Sequence, residues 1–136
     1  MEISTFDDLV RVARAQSQPQ RLLFVFAGAT LPEGASAEQR ARFEAGEGGE
    51  LAPLMCVDKS PAEVADFAAL AAEARQFGPD WAIVFAAALP GQGGRAPSAA
   101  DTDAALQRMV EAVRRGTIAN YVPFDRDGLP VQLTGA

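Results

Sequence analysis

Hydrophobic residues along the chain follow two patterns, one helical and one continuous, and the two patterns alternate. In the first segment, apolar residues recur at the spacing of one helix face, as Phe6, Leu9, Val10 and Ala13. This spacing and the cap signals predict helices over residues 5–15, 36–45, 60–77 and 98–115. Short apolar runs at 22–27, 54–57 and 81–89 predict strands, the first of them buried on both faces.

The C-terminal segment predicts a β-hairpin. Asp127-Gly128 is a strong turn signal between apolar runs at 121–124 and 129–133. Pro123 and Pro130 lack a backbone donor, which is typical of edge strands. Asp125 opens a sequence like the start of a calcium loop, but the later ligands are missing, so a plain turn is the preferred interpretation.

The predicted order of elements is α-β-α-β-α-β-α-β-β, in one α/β domain over residues 1–136. Strands that alternate with helices favour a mostly parallel sheet covered by helices, in two or three layers. The closing hairpin is expected to add an antiparallel edge. Because the second helix is short and polar, an antiparallel pairing of the first two strands stays open.

Composition and charge narrow the classes of function. The chain has 136 residues, 49% of them hydrophobic, which fits one globular domain. A net charge of −6 disfavours binding to nucleic acid and to anionic membrane surfaces. The single cysteine suits a reducing compartment, and the N-terminus has no apolar run of the signal-peptide type. The longest apolar run, at 81–89, is too short for a membrane span. We therefore expect a soluble, cytoplasmic protein.

The chain contains no histidine, and this removes much of the usual catalytic chemistry. Neither a Ser-His nor a Cys-His nucleophile pair can form. A zinc site would need carboxylates together with the lone cysteine, so no metal and no cofactor are predicted. Cys56 lies inside an apolar run and is expected to be buried and inert. Trp81 is expected to belong to the core or its rim.

Several segments resemble a known family. They are Phe6-Asp7-Asp8-Leu9, the run at 20–27, the block at 53–59 and the ending at 124–128. Together these resemble a group of short proteobacterial proteins of unknown function, whose members often carry the label "ribonucleotide reductase subunit alpha". The resemblance covers most of the chain and implies no role for any residue. Ribonucleotide reduction needs a radical cysteine and a redox dithiol, so a chain with one thiol is not the catalytic subunit of that enzyme.

The best candidate site is the carboxyl edge of the predicted sheet, where open parallel sheets bind ligands. A small anion would be held there by two basic side chains and by backbone N–H groups ahead of a helix. The alternative is that the charged pair is a solvated strand end and that the glycines only let the chain turn. The residues of this candidate site are Thr30, Asp58, Lys59, Gly91, Gly93, Gly94 and Arg95.

The loop at 91–96 also spells Gly-x-Gly-x-x-Ala, which resembles a dinucleotide fingerprint. Pro97 separates these glycines from the following helix, and no later βα unit offers an acidic partner for a ribose. A nucleotide site is therefore the weaker interpretation.

Two functions of different class follow. The first is a non-catalytic interaction or regulatory protein, which forms a homo-oligomer or binds a protein partner through a sheet edge. The second is a binder of small anions, or a modest enzyme, in which Lys59 and Arg95 contact the ligand and Asp58 acts as acid or base.

Overall fold

The computed structural model describes residues 5–30, 34–45, 50–77 and 80–131. No helix in these ranges is both long and apolar enough to cross a membrane. The chain has an α/β fold with four strands and four α-helices in the described ranges. The elements in chain order are α1 (Phe6–Arg14), β1 (Gln20–Thr30), α2 (Ala37–Glu44), β2 (Glu50–Lys59), a 3-10 turn (Pro61–Glu63), α3 (Phe67–Phe77), β3 (Ile83–Pro90), α4 (Ala99–Arg115) and β4 (Val122–Phe124).

The predicted mostly parallel sheet is wrong. The strand order is β2-β1-β3-β4, and every neighbouring pair is antiparallel. The described side chains of α2 are all exposed, whereas a parallel crossover needs a helix that packs on the sheet. The chain instead returns beside β1 in the opposite direction. β2 and β3 do run parallel, because both are antiparallel to β1, which lies between them.

The helices lie on both faces of the sheet, which gives three layers. On one face, α1 and α3 pack against Leu22, Phe24 and Phe26 of β1. On the other face, α4 packs against Leu23 and Val25. Since both sets of side chains are buried, the prediction of a strand covered on two faces is confirmed for β1.

The starts of α1 and α4 follow the cap signals, but the start of α3 does not. Thr5 and Asp8 form a capping box at the start of α1. The box at Ser60 opens only the 3-10 turn, and α3 begins later, at Phe67, whose N–H donates to Asp7. The stop signal predicted at 78–79 lies outside the described residues.

The predicted C-terminal turn is confirmed, but up to residue 131 the second strand of its hairpin is a single bridge. Gly128 has a φ of +78°, and its N–H donates to the carbonyl of Asp125 over 3.1 Å. In the described part beyond the turn, which ends at residue 131, an isolated bridge joins Phe124 and Pro130, and positions 132–133 of the predicted strand lie outside the described residues. The predicted order with two closing strands is therefore wrong.

Candidate functional site

The predicted site residues fall at both ends of the sheet. β2 and β3 end at the same rim, where Lys59 lies opposite Leu22 and Pro90 lies opposite Gln20. The residues that follow these strands therefore share one rim, as expected. Thr30 lies at the far end of β1, opposite Glu50, because β1 runs against its neighbours. Thr30 is thus separated from the rest of the predicted site by the length of the sheet.

Asp58 and Lys59 are both engaged by other residues of the chain. They leave the strand on opposite faces, as successive strand residues do. Asp58 accepts from Nε of Arg21 over 2.6 Å, and Arg21 also reaches Glu63 over 3.2 Å. Lys59 Nζ lies 3.0 Å from a carboxylate oxygen of Glu73 on α3. The two residues therefore do not point into a common pocket.

The glycine loop after β3 is a tight two-residue turn. Gly93 and Gly94 have φ values of +61° and +77°, which favour glycine. Gln92 and Arg95 donate to each other's carbonyl over 3.0 Å. Gly94 donates to the side chain of Gln18, and Gly91 donates to the carbonyl of Pro19, over 2.8 and 2.7 Å. These four amide groups already have acceptors within the chain.

A cavity of about 290 Å³ lies beside this loop. Gly91 and Gln92 form one wall, and Ser98, Asp101 and Arg108 of the α4 segment form the other. Neither Asp58 nor Lys59 lines it, and Arg95, which is exposed, does not line it either. Gly91 is therefore the one residue of the predicted site that lines this cavity.

A different surface was missed by sequence reasoning. Cys56 was predicted to be buried, but it is exposed, because β2 is the last strand of the sheet on its side in the described ranges. The side chain faces the α4 layer and borders a groove of about 400 Å³. Leu106 and Val110 of α4 form its apolar floor, and its polar rim consists of Asp103, Gln107 and Glu111.

The thiol of Cys56 has a distinct electrostatic environment. Partial burial in the groove raises its pKa above the ordinary value, and the nearby carboxylate of Asp58 raises it further. The thiol is therefore the dominant form near neutral pH, so Cys56 presents a small, weakly polar surface to the groove.

β2 has one irregular and one regular part. A β-bulge lies where Phe26 pairs with Met55 and Ala27 pairs with Pro53. Both the bulge and the proline disfavour the pairing of a further strand with a sheet edge. From Met55 to Lys59 the register is regular, and no strand of the described ranges pairs with the outer side of this part, so its outward backbone groups alternate as at an ordinary edge.

Comparison with known proteins gives no relative for this chain. No protein-family model matches it, and no curated protein and no solved structure matches it. In the described ranges, no three cysteine, aspartate or glutamate side chains are grouped closely enough to hold a metal ion. The free part of β2 and the groove beside it, here called the edge groove (Cys56, Asp103, Leu106, Gln107, Val110 and Glu111), is the strongest candidate site.

Proposed function

We propose that the protein is a non-catalytic interaction module that binds an extended segment of another protein along residues 55–59 of β2. One observation carries this proposal. The regular part of the sheet edge borders the edge groove, whose floor is the apolar pair Leu106 and Val110 of α4.

The position of the groove matches the position of an added strand. Neighbouring strands lie about 4.7–4.9 Å apart, so a segment paired with β2 would lie directly beside Cys56. Side chains of that segment on the α4 face would pack against Leu106 and Val110. Backbone hydrogen bonds would supply affinity and the groove would supply selectivity, as in other cases of strand addition.

The bulge limits how much of β2 takes part. Pro53 and the irregular register beside it interrupt the edge before Met55. A bound segment therefore pairs with about five residues of β2, and one or two of its side chains reach the edge groove. Such a short contact is typical of weak, transient recognition of a peptide.

Charge favours a foreign segment over a second copy of this chain. Asp58 lies opposite Leu23, whose side chain packs on the α4 side, so Asp58 faces the same side as the groove. A second copy that added its own β2 would bring the carboxylates of that copy toward Asp103, which has no cationic partner in the described ranges. The net charge of −6 on each copy adds to this repulsion.

The test uses short synthetic peptides in which every second residue is threonine and the residues between them alternate valine with lysine, threonine or glutamate, so that valine and the variable residue lie two positions apart on one face. Each is titrated into ¹⁵N-labelled protein, and the amide shifts are followed by NMR. We expect saturable changes at residues 55–59 and at Leu106 and Val110 for at least one peptide. Val110→Asp should weaken binding about tenfold, since a charge in the apolar floor costs more than 1 kcal/mol.

The matched control is Leu129→Asp, which introduces the same charge at an exposed leucine (49% exposed) outside the edge groove. It should leave the affinity unchanged. Absence of saturable shifts at residues 55–59 with all three peptides would overturn the proposal. A stable dimer in sedimentation that Val110→Asp abolishes would overturn the choice of a foreign segment.

A further inference from the structure

We infer that the edge groove selects a segment with an apolar residue and, two positions away, a lysine or arginine that pairs with Asp103. This inference rests on the proposed function, because it names the chemistry of the segment that the same surface binds.

The residues of α4 that border the groove lie on one helix face. Asp103, Leu106, Gln107, Val110 and Glu111 follow the spacing i, i+3, i+4, i+7 and i+8. The apolar pair lies in the middle of this face, and a carboxylate lies near each end. A segment beside β2 therefore meets an apolar contact at the centre and a charged contact on either side.

The two end carboxylates differ in their surroundings. Glu111 contacts Arg114 and Arg115, so its charge is already compensated. In the described ranges, no residue forms a hydrogen bond or an ion pair with the side chain of Asp103. Nearby on the sheet, Asp58 is paired with Arg21. Asp103 is therefore the groove carboxylate that still attracts a cation.

The spacing between the apolar floor and Asp103 fits two residues of an extended segment. The centre of the pair Leu106 and Val110 lies five helix positions from Asp103, or about 7.5 Å along the axis. Two residues of a strand advance by about 6.6–6.8 Å and return the side chain to the same face. An apolar side chain over the floor thus places the next side chain on that face close to Asp103.

The position of α4 sets the end at which the basic residue lies. α4 begins shortly after β3 ends, at the rim that also contains Asp58 and Lys59. Its first turns, with Asp103, are therefore nearer to the carboxyl end of β2 than the turns with Glu111. The basic residue of the bound segment should lie beside the end of β2.

The test compares the valine–lysine and valine–glutamate peptides by NMR titration at low and high salt. At low salt, the lysine peptide should bind about fivefold more tightly, as expected for one exposed ion pair. Asp103→Lys should reverse this preference, and Asp103→Asn should abolish it. Added salt should reduce the preference, because exposed charge pairs are screened.

Asp101→Lys is the matched control, since it changes the same charge on the same helix but faces the cavity beside the glycine loop. It should keep the preference for lysine. Binding at residues 55–59 with equal affinity for both peptides, or a preference that survives Asp103→Lys, would overturn this inference and leave the proposed function standing. Absence of binding at residues 55–59 would overturn both.

Discussion

The Nε atom of Arg21 lies 2.6 Å from Oδ2 of Asp58, and this ion pair joins β1 to β2 at the rim where β2 ends. The same guanidinium reaches Glu63, so the 3-10 turn after β2 is held to the sheet as well. Asp58 thus has a structural partner on one side and Cys56 close by on the same face. Its charge influences both the rim and the edge groove.

Cys56 should react with iodoacetamide, but slowly at neutral pH. The thiol is exposed, yet burial of its surroundings and the charge of Asp58 raise its pKa, so little thiolate is present. Asp58→Asn should lower the pKa and speed the reaction at a fixed pH, although the larger effect of burial remains. Mass spectrometry of the alkylation rate at a series of pH values measures the thiol pKa in the original protein and in Asp58→Asn. A rate that equals that of a free cysteine peptide in both proteins would contradict the account.

Phe6→Ala should lower the free energy of unfolding by about 3–5 kcal/mol. Phe6 is fully buried, and its ring contacts those of Phe24, Phe67 and Phe124 at centroid distances of 5.5, 5.0 and 5.4 Å. The substitution leaves a cavity where α1, α3 and two strands meet. Urea denaturation measures the loss. Leu129→Ala, at an exposed site, should change stability by less than about 0.5 kcal/mol, and similar losses in both variants would refute this core.

Two glycines of one loop should respond differently to alanine. A Cβ atom at Gly91 would lie 1.9 Å from the carbonyl oxygen of Arg95, so Gly91→Ala should cost more than about 3 kcal/mol. At Gly93 the space is open and only the positive φ is unfavourable, so Gly93→Ala should cost about 1 kcal/mol. Chemical denaturation of both variants gives the comparison. Equal losses of stability in the two variants would show that Gly91 does not lie this close to the carbonyl of Arg95.

Acid should weaken the attachment of the 3-10 turn through Glu63. Hydrogen bonds from Ser60 hold the pKa of Glu63 below its ordinary value, and the charges of Arg21 and Lys59 add to this effect. Because the folded-state pKa is the lower one, the stabilisation is present above the unfolded-state pKa and is lost as the pH falls through the folded-state value. An NMR titration should show the Ser60 amide shifting with Glu63. Glu63→Gln should remove that transition, and a Glu63 pKa at or above its ordinary value would contradict it.

Local features of this fold were predictable because they depend on neighbouring residues. The apolar run of β1, the cap of α1 at Thr5 and the turn ending at Gly128 each follow from a few adjacent side chains. The start of α4 at Ser98 and its end at Gly116, where φ is +78°, were predictable for the same reason.

The direction and order of the strands were not predictable from the pattern. Alternating helices and strands indicate a parallel sheet only where each helix packs on the sheet, and the short, polar sequence of α2 leaves the pairing of β1 and β2 open. The position of Thr30 and the exposure of Cys56 both depend on that pairing, because they follow from which strands are neighbours. For the same reason, Val110 could be read as part of the core stripe of α4, but not as the floor of a groove.

The most direct test of the central claim is amide hydrogen exchange of residues 55–59, with and without the valine–lysine peptide. In the free protein, amides of β2 that point away from β1 should exchange quickly, and those bonded to β1 should exchange slowly. Saturating peptide should slow the fast amides and leave the slow ones nearly unchanged. If the fast amides still exchange quickly at saturating peptide, this edge does not bind a strand. The same conclusion would follow if all amides of residues 55–59 were protected in the free monomer.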